Sequence, residues 1–216
     1  MTRQAAIIAH LRQELGDAAT AEALAGIIEA DTLSWRAPVI DVAQVASVIA
    51  FTFGNRMLPN GNREPGPVNL ALADIVADLH RRTGARVFAQ WEVAAALQGR
   101  VPDTLVVAIN PGRDERGEPV YLSTTGVIEA IARQAGDPAS LGRVAVVAFA
   151  DHLYRCVATC RRLGFDACAP DGVAMPTEYD PDSGQAWCRD RIAYLLHDIM
   201  IRITERRAAV VGSLRQ

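Results

Sequence analysis

The sequence has 216 residues, of which half are hydrophobic and 22% are charged, and its formal net charge is −3 at pH 7. A chain of this length and composition can bury the core of one soluble domain. The excess of basic residues that binds a nucleic-acid backbone is absent, so nucleic acid is not expected as a partner. The apolar runs fall short of the roughly 20 residues that cross a bilayer, and no signal peptide is recognisable, so we expect a cytoplasmic protein that binds no membrane.

The first 40 residues are expected to form a helical extension. Apolar residues at helical spacing predict two helices between residues 2 and 30, joined near residues 16–20. Because this segment has no recognisable chemistry, we expect it to cover the sheet or to mediate contacts in a homo-oligomer. Residues 41–216 are predicted to form one α/β domain.

Five apolar runs alternate with helical patterns in this domain. The runs lack the polar alternation of half-exposed strands, which is typical of parallel strands covered on both faces. The predicted strands span residues 47–53, 86–90, 104–109, 144–149 and 166–169. The predicted helices span residues 69–82, 93–97, 126–134, 153–163 and 186–206. This order predicts an α/β, Rossmann-like three-layer domain with a mostly parallel five-stranded sheet.

The clearest functional signal follows the strand at 144–149. Asp151, His152 and Arg155 come where this strand ends and a helix begins, and open parallel sheets bind ligands at the carboxyl ends of their strands. A histidine has little structural purpose there, so we interpret His152 as a catalytic acid or base. Two interpretations of Asp151 and Arg155 stay open, as ligand-binding residues or as a helix cap and its partner across one turn.

Polar side chains also follow two other predicted strands. Asn55 and Arg56 end the first strand and open a loop that extends to Pro67 and either covers a ligand or is disordered. Glu92 follows the second strand, where it could orient a hydroxyl group or act as a catalytic base. Arginines at these positions, Arg56 and Arg155, could clamp a carboxylate or a phosphate.

Three hydroxyl side chains, Ser123, Thr124 and Thr125, lie at the start of the helix at 126–134. Capping of the helix is the ordinary role of such residues. The alternative is that these hydroxyls and the free N–H groups of the first turn bind an anion. All three are therefore candidates for ligand binding.

The four cysteines fit neither a paired CxxC metal pattern nor a secreted disulfide framework, so we interpret them as reduced thiols. His152, Cys156 and Cys160 have the spacing of a helical zinc site, but burial of the two thiols in a packed helix is the favoured interpretation. No metal site is predicted.

These motifs, in this order, resemble the YdcF/SanA/ElyC-like family of Rossmann-like proteins, and within it the soluble YdcF-type branch. The resemblance covers about residues 45–206 and rests most on a strand followed by H-x-x-R, His152 and Arg155, and then a helix ending in RRLGF. It also includes Gly54-Asn55-Arg56, Pro59-Asn60-Gly61, Glu64-Pro65 and the hydroxyl-bearing helix start. It implies a pocket at the strand ends in which Gly54 and Asn69 belong to the ligand-binding positions, with S-adenosylmethionine as a candidate cofactor.

The expected function is that of an enzyme acting on a small anionic or nucleotide-like substrate at the strand ends, a transferase or a hydrolase. His152 and Glu92 are its candidate catalytic residues. The alternative is a module that binds S-adenosylmethionine or a nucleotide without turnover. No GxxxxGK[ST], GxGxxG, HExxH or GxSxG motif occurs in the sequence, so the motifs indicate a site more clearly than a reaction.

Overall fold

The structure, a computed structural model, describes residues 2–113, 115–116 and 119–214. Its strands are β1 (Val39–Ile40), β2 (Ser47–Ala50), β3 (Arg56–Met57), β4 (Arg63–Glu64), β5 (Arg86–Gln90), β6 (Val106–Ile109), β7 (Gly112–Arg113), β8 (Pro119–Val120), β9 (Arg143–Val147) and β10 (Asp166–Pro170). Its α-helices are α1 (Arg3–Leu15), α2 (Ala18–Ile28), α3 (Pro67–Thr83), α4 (Trp91–Ala96), α5 (Thr124–Ala135), α6 (Ala150–Arg162) and α7 (Arg191–Ser213). Short 3-10 turns span Val42–Gln44, Asp103–Leu105, Pro138–Leu141 and Ala186–Cys188, and a π-helical turn spans Glu29–Leu33.

Six of the strands form one parallel sheet in the order β1-β10-β9-β2-β5-β6, which confirms the predicted Rossmann-like α/β fold. The sheet has one strand more than predicted. The additional strand, β1, comprises only Val39 and Ile40, and two residues after a proline give no apolar run that a sequence pattern could reveal. The other strands pair as two antiparallel hairpins, β3 with β4 and β7 with β8.

Side chains that alternate along the strands form two core layers, one on each face of the sheet. Val48 and Val87 belong to the layer covered by α3 and α4. Ile49 and Phe88 belong to the layer covered by α5 and α6. The sheet is therefore buried on both faces, as the unbroken apolar runs predicted.

Most predicted element boundaries shift by a few residues for identifiable reasons. Helix α3 begins at Pro67, at a position where the missing N–H of proline costs no hydrogen bond. It ends at Thr83, and the following Gly84, with a φ of 69°, forms a left-handed cap. The last helix begins at Arg191 and not at residue 186, because the intervening residues form a 3-10 turn.

The chain divides into two compact units. Residues Arg36–Tyr194 form one unit, which contains the whole sheet, and the part up to Trp35 together with the part from Leu195 forms the other. The helical extension thus ends before residue 40, because β1 pairs with β10 in the sheet. None of the helices in the described parts of the chain combines the length and the hydrophobicity of a membrane span.

Candidate functional site

The chain order in the sheet reverses between β2 and β9. From β2 the sheet continues through β5 to β6, and from there the chain returns to the other side of β2 to form β9 and β10. Ligands of open α/β sheets bind at the carboxyl ends beside such a reversal. The residues after β2 and β9 therefore meet where the fold favours a site.

The segment at residues 171–190 lies over these two strand ends. Its Gly184 N–H donates to the backbone oxygen of Asn55 at 2.6 Å, and its Pro176 carbonyl accepts from the Ala150 N–H at 2.9 Å. Both contacts are made by backbone atoms, one beside each strand. The crevice between β2 and β9 is thus covered by the protein's own chain.

Buried side chains replace the sheet hydrogen bonds directly after β2. The Thr52 N–H donates to the Gln90 side chain at 2.9 Å, and the Phe53 N–H donates to Asn69 Oδ1 at 2.9 Å. The amide nitrogen of Asn69 also donates to the Gly54 oxygen at 2.8 Å. Strand pairing ends here, and Asn69, which is fully buried, orders the turn.

Gly54 takes up a backbone conformation and a space that other residues do not fit. Its φ is 69°, in the left-handed region. A Cβ atom at this position would lie 2.4 Å from the Ser183 hydroxyl and 3.4 Å from Cys188 Cβ. The glycine therefore allows the segment at residues 171–190 to approach the turn.

His152 lies in an aromatic cluster at the start of α6. Its ring is edge-on to Phe51 at 6.1 Å and to Tyr194 at 5.9 Å, measured between ring centroids, and it is tilted against Phe53 at 6.5 Å. Only 6% of the residue is exposed. The structure thus places His152 at the predicted strand end, beneath other side chains.

The hydroxyl residues at the start of α5 have partners within the protein. Ser123 caps the helix, because its Oγ accepts from the Gly126 N–H at 3.1 Å. The buried Arg155 donates to Thr124 Oγ1 at 2.8 Å, and Arg162 donates to Thr125 Oγ1 at 3.2 Å. The capping interpretation of Ser123 is confirmed, and the two threonines link α5 to α6.

One interpretation of the sequence paired Asp151 with Arg155, but Asp151 has other partners in the structure. Its carboxylate accepts from Arg191 at 2.9 and 3.1 Å and from the Tyr179 hydroxyl at 2.9 Å. Helix α6 begins at Ala150 and has Phe149 as its N-cap, so Asp151 lies inside the helix and does not cap it. Its ion pair and its contact with Tyr179 instead tie Asp151 to the segment covering the strand ends and to α7.

Arg56 binds the same covering segment from the other side. It donates two hydrogen bonds to Asp180, at 3.0 and 2.9 Å, and this guanidinium holds the pKa of the Asp180 carboxyl below its ordinary value. The positive charge of Arg56, which the sequence analysis assigned to binding an anionic ligand, is thus balanced by Asp180. Direct binding of an anion by Arg56 stays a prediction.

The ion pair leads to a testable expectation for Asp180→Asn. Loss of the charge weakens the attachment of residues 171–190 by about 1 kcal/mol or less, because the Arg56 side chain is 39% exposed. Backbone amides of this segment should then exchange hydrogen up to about fivefold faster. Asp182→Asn is the matched control, since Asp182 is 78% exposed and lies 3.6 Å from Arg56. Equal exchange in both variants would show that the Asp180 pair does not hold the segment.

Glu92 is the most unusual ionisable group at the strand ends. It lies in the first turn of α4, directly after β5, and it is fully buried. Its Oε1 accepts from the Tyr121 hydroxyl at 2.5 Å and from the Asn55 side-chain amide at 3.3 Å. Its Oε2 is buried and has no hydrogen-bond partner among the described residues. A buried carboxylate with an unsatisfied oxygen is costly and needs an explanation.

The surroundings of this pair shift both of its pKa values upwards. Burial raises the pKa of the Glu92 carboxyl, and the hydrogen bond from Tyr121 partly opposes that effect. Burial also raises the pKa of the Tyr121 hydroxyl, and the charge of Glu92 raises it further. Strongly perturbed neighbouring groups of this kind are typical of acid–base sites.

Next to this pair lies a cavity of about 830 Å³, within the usual size of a small-molecule site. The β3–β4 hairpin, the start of α4, the chain on both sides of the β7–β8 hairpin and the covering segment surround it. The lining includes Met57, Arg63, Trp91, Tyr121, Gln185 and Trp187. The loop at 54–67 therefore borders a cavity, and its predicted role of covering a ligand stays a prediction.

A hydrogen-bonded chain connects one wall of the cavity to Glu92. Arg63 donates to Asn55 Oδ1 at 3.2 Å, and the amide nitrogen of Asn55 donates to Glu92. No carboxylate among the described residues forms an ion pair with Arg63. The cation available to a ligand here is thus Arg63, and not Arg56.

Asn55 and Glu92, which the sequence analysis assigned to the strand ends, are hydrogen-bonded to each other. Of the residues that line the cavity, Arg63 was only weakly indicated by the sequence, and Tyr121, Trp91 and Trp187 were not indicated at all. Tyr121 and Trp187 lie in segments without periodicity, and Trp91 and Arg63 carry no motif. Asp114 and Glu118, which the sequence placed among solvated charges of the loop after β6, lie outside the described residues.

Burial bears on the role of the cysteines. Cys156 and Cys160 are fully buried in the core, all four cysteines are free, and burial raises the pKa of the Cys160 thiol. Within residues 2–113, 115–116 and 119–214, no three His, Cys, Asp or Glu side chains are grouped so that they could hold a metal ion. The packing interpretation of the two thiols is therefore the one supported.

Comparisons with protein-family models, with curated proteins and with solved structures found no match. The resemblance to the YdcF/SanA/ElyC-like family therefore stays a prediction based on sequence motifs. What the site binds and does has to follow from its own geometry.

Proposed function

We propose that the protein is an enzyme that acts on a small anionic or nucleotide-like molecule at the carboxyl ends of β2, β5 and β6. The observation that supports this most is the buried Glu92 carboxylate, hydrogen-bonded to the Tyr121 hydroxyl beside the cavity of about 830 Å³. A site of this kind combines space for a ligand with a proton acceptor whose pKa is raised above its ordinary value by burial.

In this proposal Tyr121 contacts the substrate and Glu92 acts through it. Tyr121 is 38% exposed and lines the cavity, whereas Glu92 is fully buried behind it. The raised pKa of Tyr121 prevents a free tyrosinate from accumulating. Transfer of a substrate proton to Tyr121 Oη is therefore coupled to transfer of the hydroxyl's own proton to Glu92 Oε1, and the reverse sequence returns a proton to the product.

Arg63 is the proposed contact for the anionic part of the substrate. Its guanidinium is exposed at the cavity, and its bond to Asn55 fixes it relative to Glu92. His152 and Arg155, the residues proposed from the sequence, belong to a second candidate centre beneath the covering segment. Movement of residues 171–190 would be needed before a ligand could reach them.

A binding module without turnover is the second candidate. Trp91 and Trp187 at the cavity favour it, because aromatic rings supply binding to S-adenosylmethionine or a nucleotide but no acid–base chemistry. The two candidates differ in what Tyr121 does. An enzyme needs the hydroxyl group, whereas a binding module needs only the ring.

The test is a thermal-shift screen against nucleotides, S-adenosylmethionine, sugar phosphates and carboxylates, followed by NMR detection of turnover of each stabilising compound. Tyr121→Phe should lower turnover by about 10²–10⁴-fold and weaken binding far less. Turnover that survives in Tyr121→Phe but is lost in His152→Ala would move the catalytic centre to the β2–β9 crevice. Stabilising compounds without turnover in the parent protein would support the binding module.

A further inference from the structure

We infer that the ligand of the cavity beside Tyr121 consists of a heteroaromatic ring joined to one anionic group, as in a nucleoside monophosphate. This inference rests on the proposed function and narrows its ligand class. It follows from the chemical character of the cavity walls and of the groups behind them.

The ring is inferred from the aromatic side chains. Trp91, Tyr121 and Trp187 all line the cavity, and Trp187 is 41% exposed although it is a large apolar residue. Exposed aromatic surface at a concave site is typical of a binding surface. Heterocyclic bases gain affinity by stacking on such rings, whereas a sugar phosphate or a simple carboxylate has no face to stack.

That the ring carries polar groups is inferred from the hydrogen-bonding side chains that line the cavity. Tyr121 and the Gln185 side chain offer hydrogen-bonding groups there, and Glu92 lies directly behind Tyr121. The unsatisfied Glu92 Oε2 can accept a hydrogen bond if a small movement of Tyr121 admits the ligand. A heterocycle with N–H groups can donate to Tyr121 Oη and to the Gln185 side chain, whereas a purely hydrocarbon ring can form no hydrogen bond with either, so a heterocycle fits better.

The single anionic group is inferred from the charge of the lining. Arg63 is the only ionisable residue with a formal charge among the described residues that line the cavity. One guanidinium can bind a phosphate or carboxylate in a fork geometry. It balances only part of the charge of a nucleoside triphosphate, and no carboxylate is among the described residues that line the cavity. A monophosphate is therefore preferred over a triphosphate.

The experiment is isothermal titration calorimetry with the full chain. The probes are AMP, GMP, CMP and UMP, with adenosine and ribose 5-phosphate as fragments that lack the phosphate or the base, and with ATP. We expect at least one monophosphate to bind tighter than ribose 5-phosphate, adenosine and ATP. Trp187→Ala should weaken that binding about 5- to 100-fold, and Trp187→Phe, which keeps a ring, should weaken it much less.

Two arginine variants test the anionic contact. Arg63→Ala should weaken the monophosphate about tenfold or more and leave adenosine unchanged. Arg81→Ala, which removes an arginine with a 75% exposed side chain from α3, is the matched control and should change nothing. Arg63→Ala also removes a hydrogen bond to the buried Asn55, so the melting temperature of both variants is measured to separate misfolding from loss of the anionic contact.

The outcomes separate this inference from the proposed function. Equal binding of ribose 5-phosphate and the monophosphates, unaffected by Trp187→Ala but lost in Arg63→Ala, overturns the ring and leaves the proposed site standing. Absence of binding by every probe overturns the ligand class. The proposed function is then judged separately, by the effect of Tyr121→Phe on turnover of compounds from the other classes in the screen.

Discussion

Glu92→Gln is expected to lower turnover by about 10²–10⁴-fold while the fold is retained. Glutamine has nearly the same shape as glutamate, and its oxygen can still accept the hydrogen bonds from Tyr121 and Asn55. What it loses is the capacity to take up a proton from Tyr121. Steady-state rates on the compounds found by screening measure this effect, and binding of the same compounds should change much less.

Although Glu92→Gln is expected to lower turnover, we expect it to gain stability relative to the parent protein as pH rises. Burial raises the folded-state pKa of Glu92, so the folded protein holds this proton at pH values where the unfolded chain has released it. Glu92 therefore costs increasing stability as pH rises from the ordinary glutamate value of about 4.3 through its raised folded value. The melting temperature of Glu92→Gln, relative to that of the parent, should rise over this range.

The control for this prediction is Glu129→Gln, which changes an exposed glutamate on α5. It should alter neither the turnover nor the pH dependence of the melting temperature. A difference between Glu92→Gln and the parent that is constant from pH 4 to pH 8 would show that Glu92 titrates normally. In that case the acid–base role proposed for it would be lost.

Gly54→Ala is expected to destabilise the protein by about 2–4 kcal/mol, the largest effect on stability that we predict. The added methyl group must accept a φ of 69° and would also lie 2.4 Å from the Ser183 hydroxyl. Ser183 is almost fully buried, and its Oγ accepts from the Gln185 N–H at 3.2 Å, so it cannot turn away without cost. Chemical denaturation measures the loss.

Gly84→Ala provides a matched control for this substitution. Gly84 has the same φ of 69°, and a Cβ atom there would meet nothing within 4 Å. It should cost only about 1 kcal/mol, from the left-handed backbone alone. Ser183→Ala should then recover part of the loss in the Gly54→Ala background but not in the Gly84→Ala background. Equal losses in the two glycine variants would show that the covering segment does not press on Gly54.

The layers of the fold could be predicted from the sequence because each depends on a local pattern. Unbroken apolar runs predicted β2, β5, β6, β9 and β10. β1 was not predicted, because a strand of two residues is defined only by its pairing with β10. Its place in the sheet is a property of the tertiary structure and not of local sequence.

The site could be predicted only in part, for a related reason. Glu92 and Asn55 follow strands, so the parallel sheet brings them to one edge, and they are in fact hydrogen-bonded. Tyr121, Trp187 and Arg63 reach the same cavity from hairpins and from the covering segment, whose paths no periodic pattern specifies. The partner of Arg56, Asp180, lies 124 residues away in sequence.

The most direct test of the proposed acid–base pair is the pKa of Glu92 itself. It can be followed by ¹³C NMR of the side-chain carboxyl groups, with Glu92→Gln identifying the resonance. We predict a pKa above the ordinary value of about 4.3. It should rise further in Tyr121→Phe, which removes a hydrogen bond that stabilises the carboxylate. A pKa at or below the ordinary value, unchanged in Tyr121→Phe, would contradict the account.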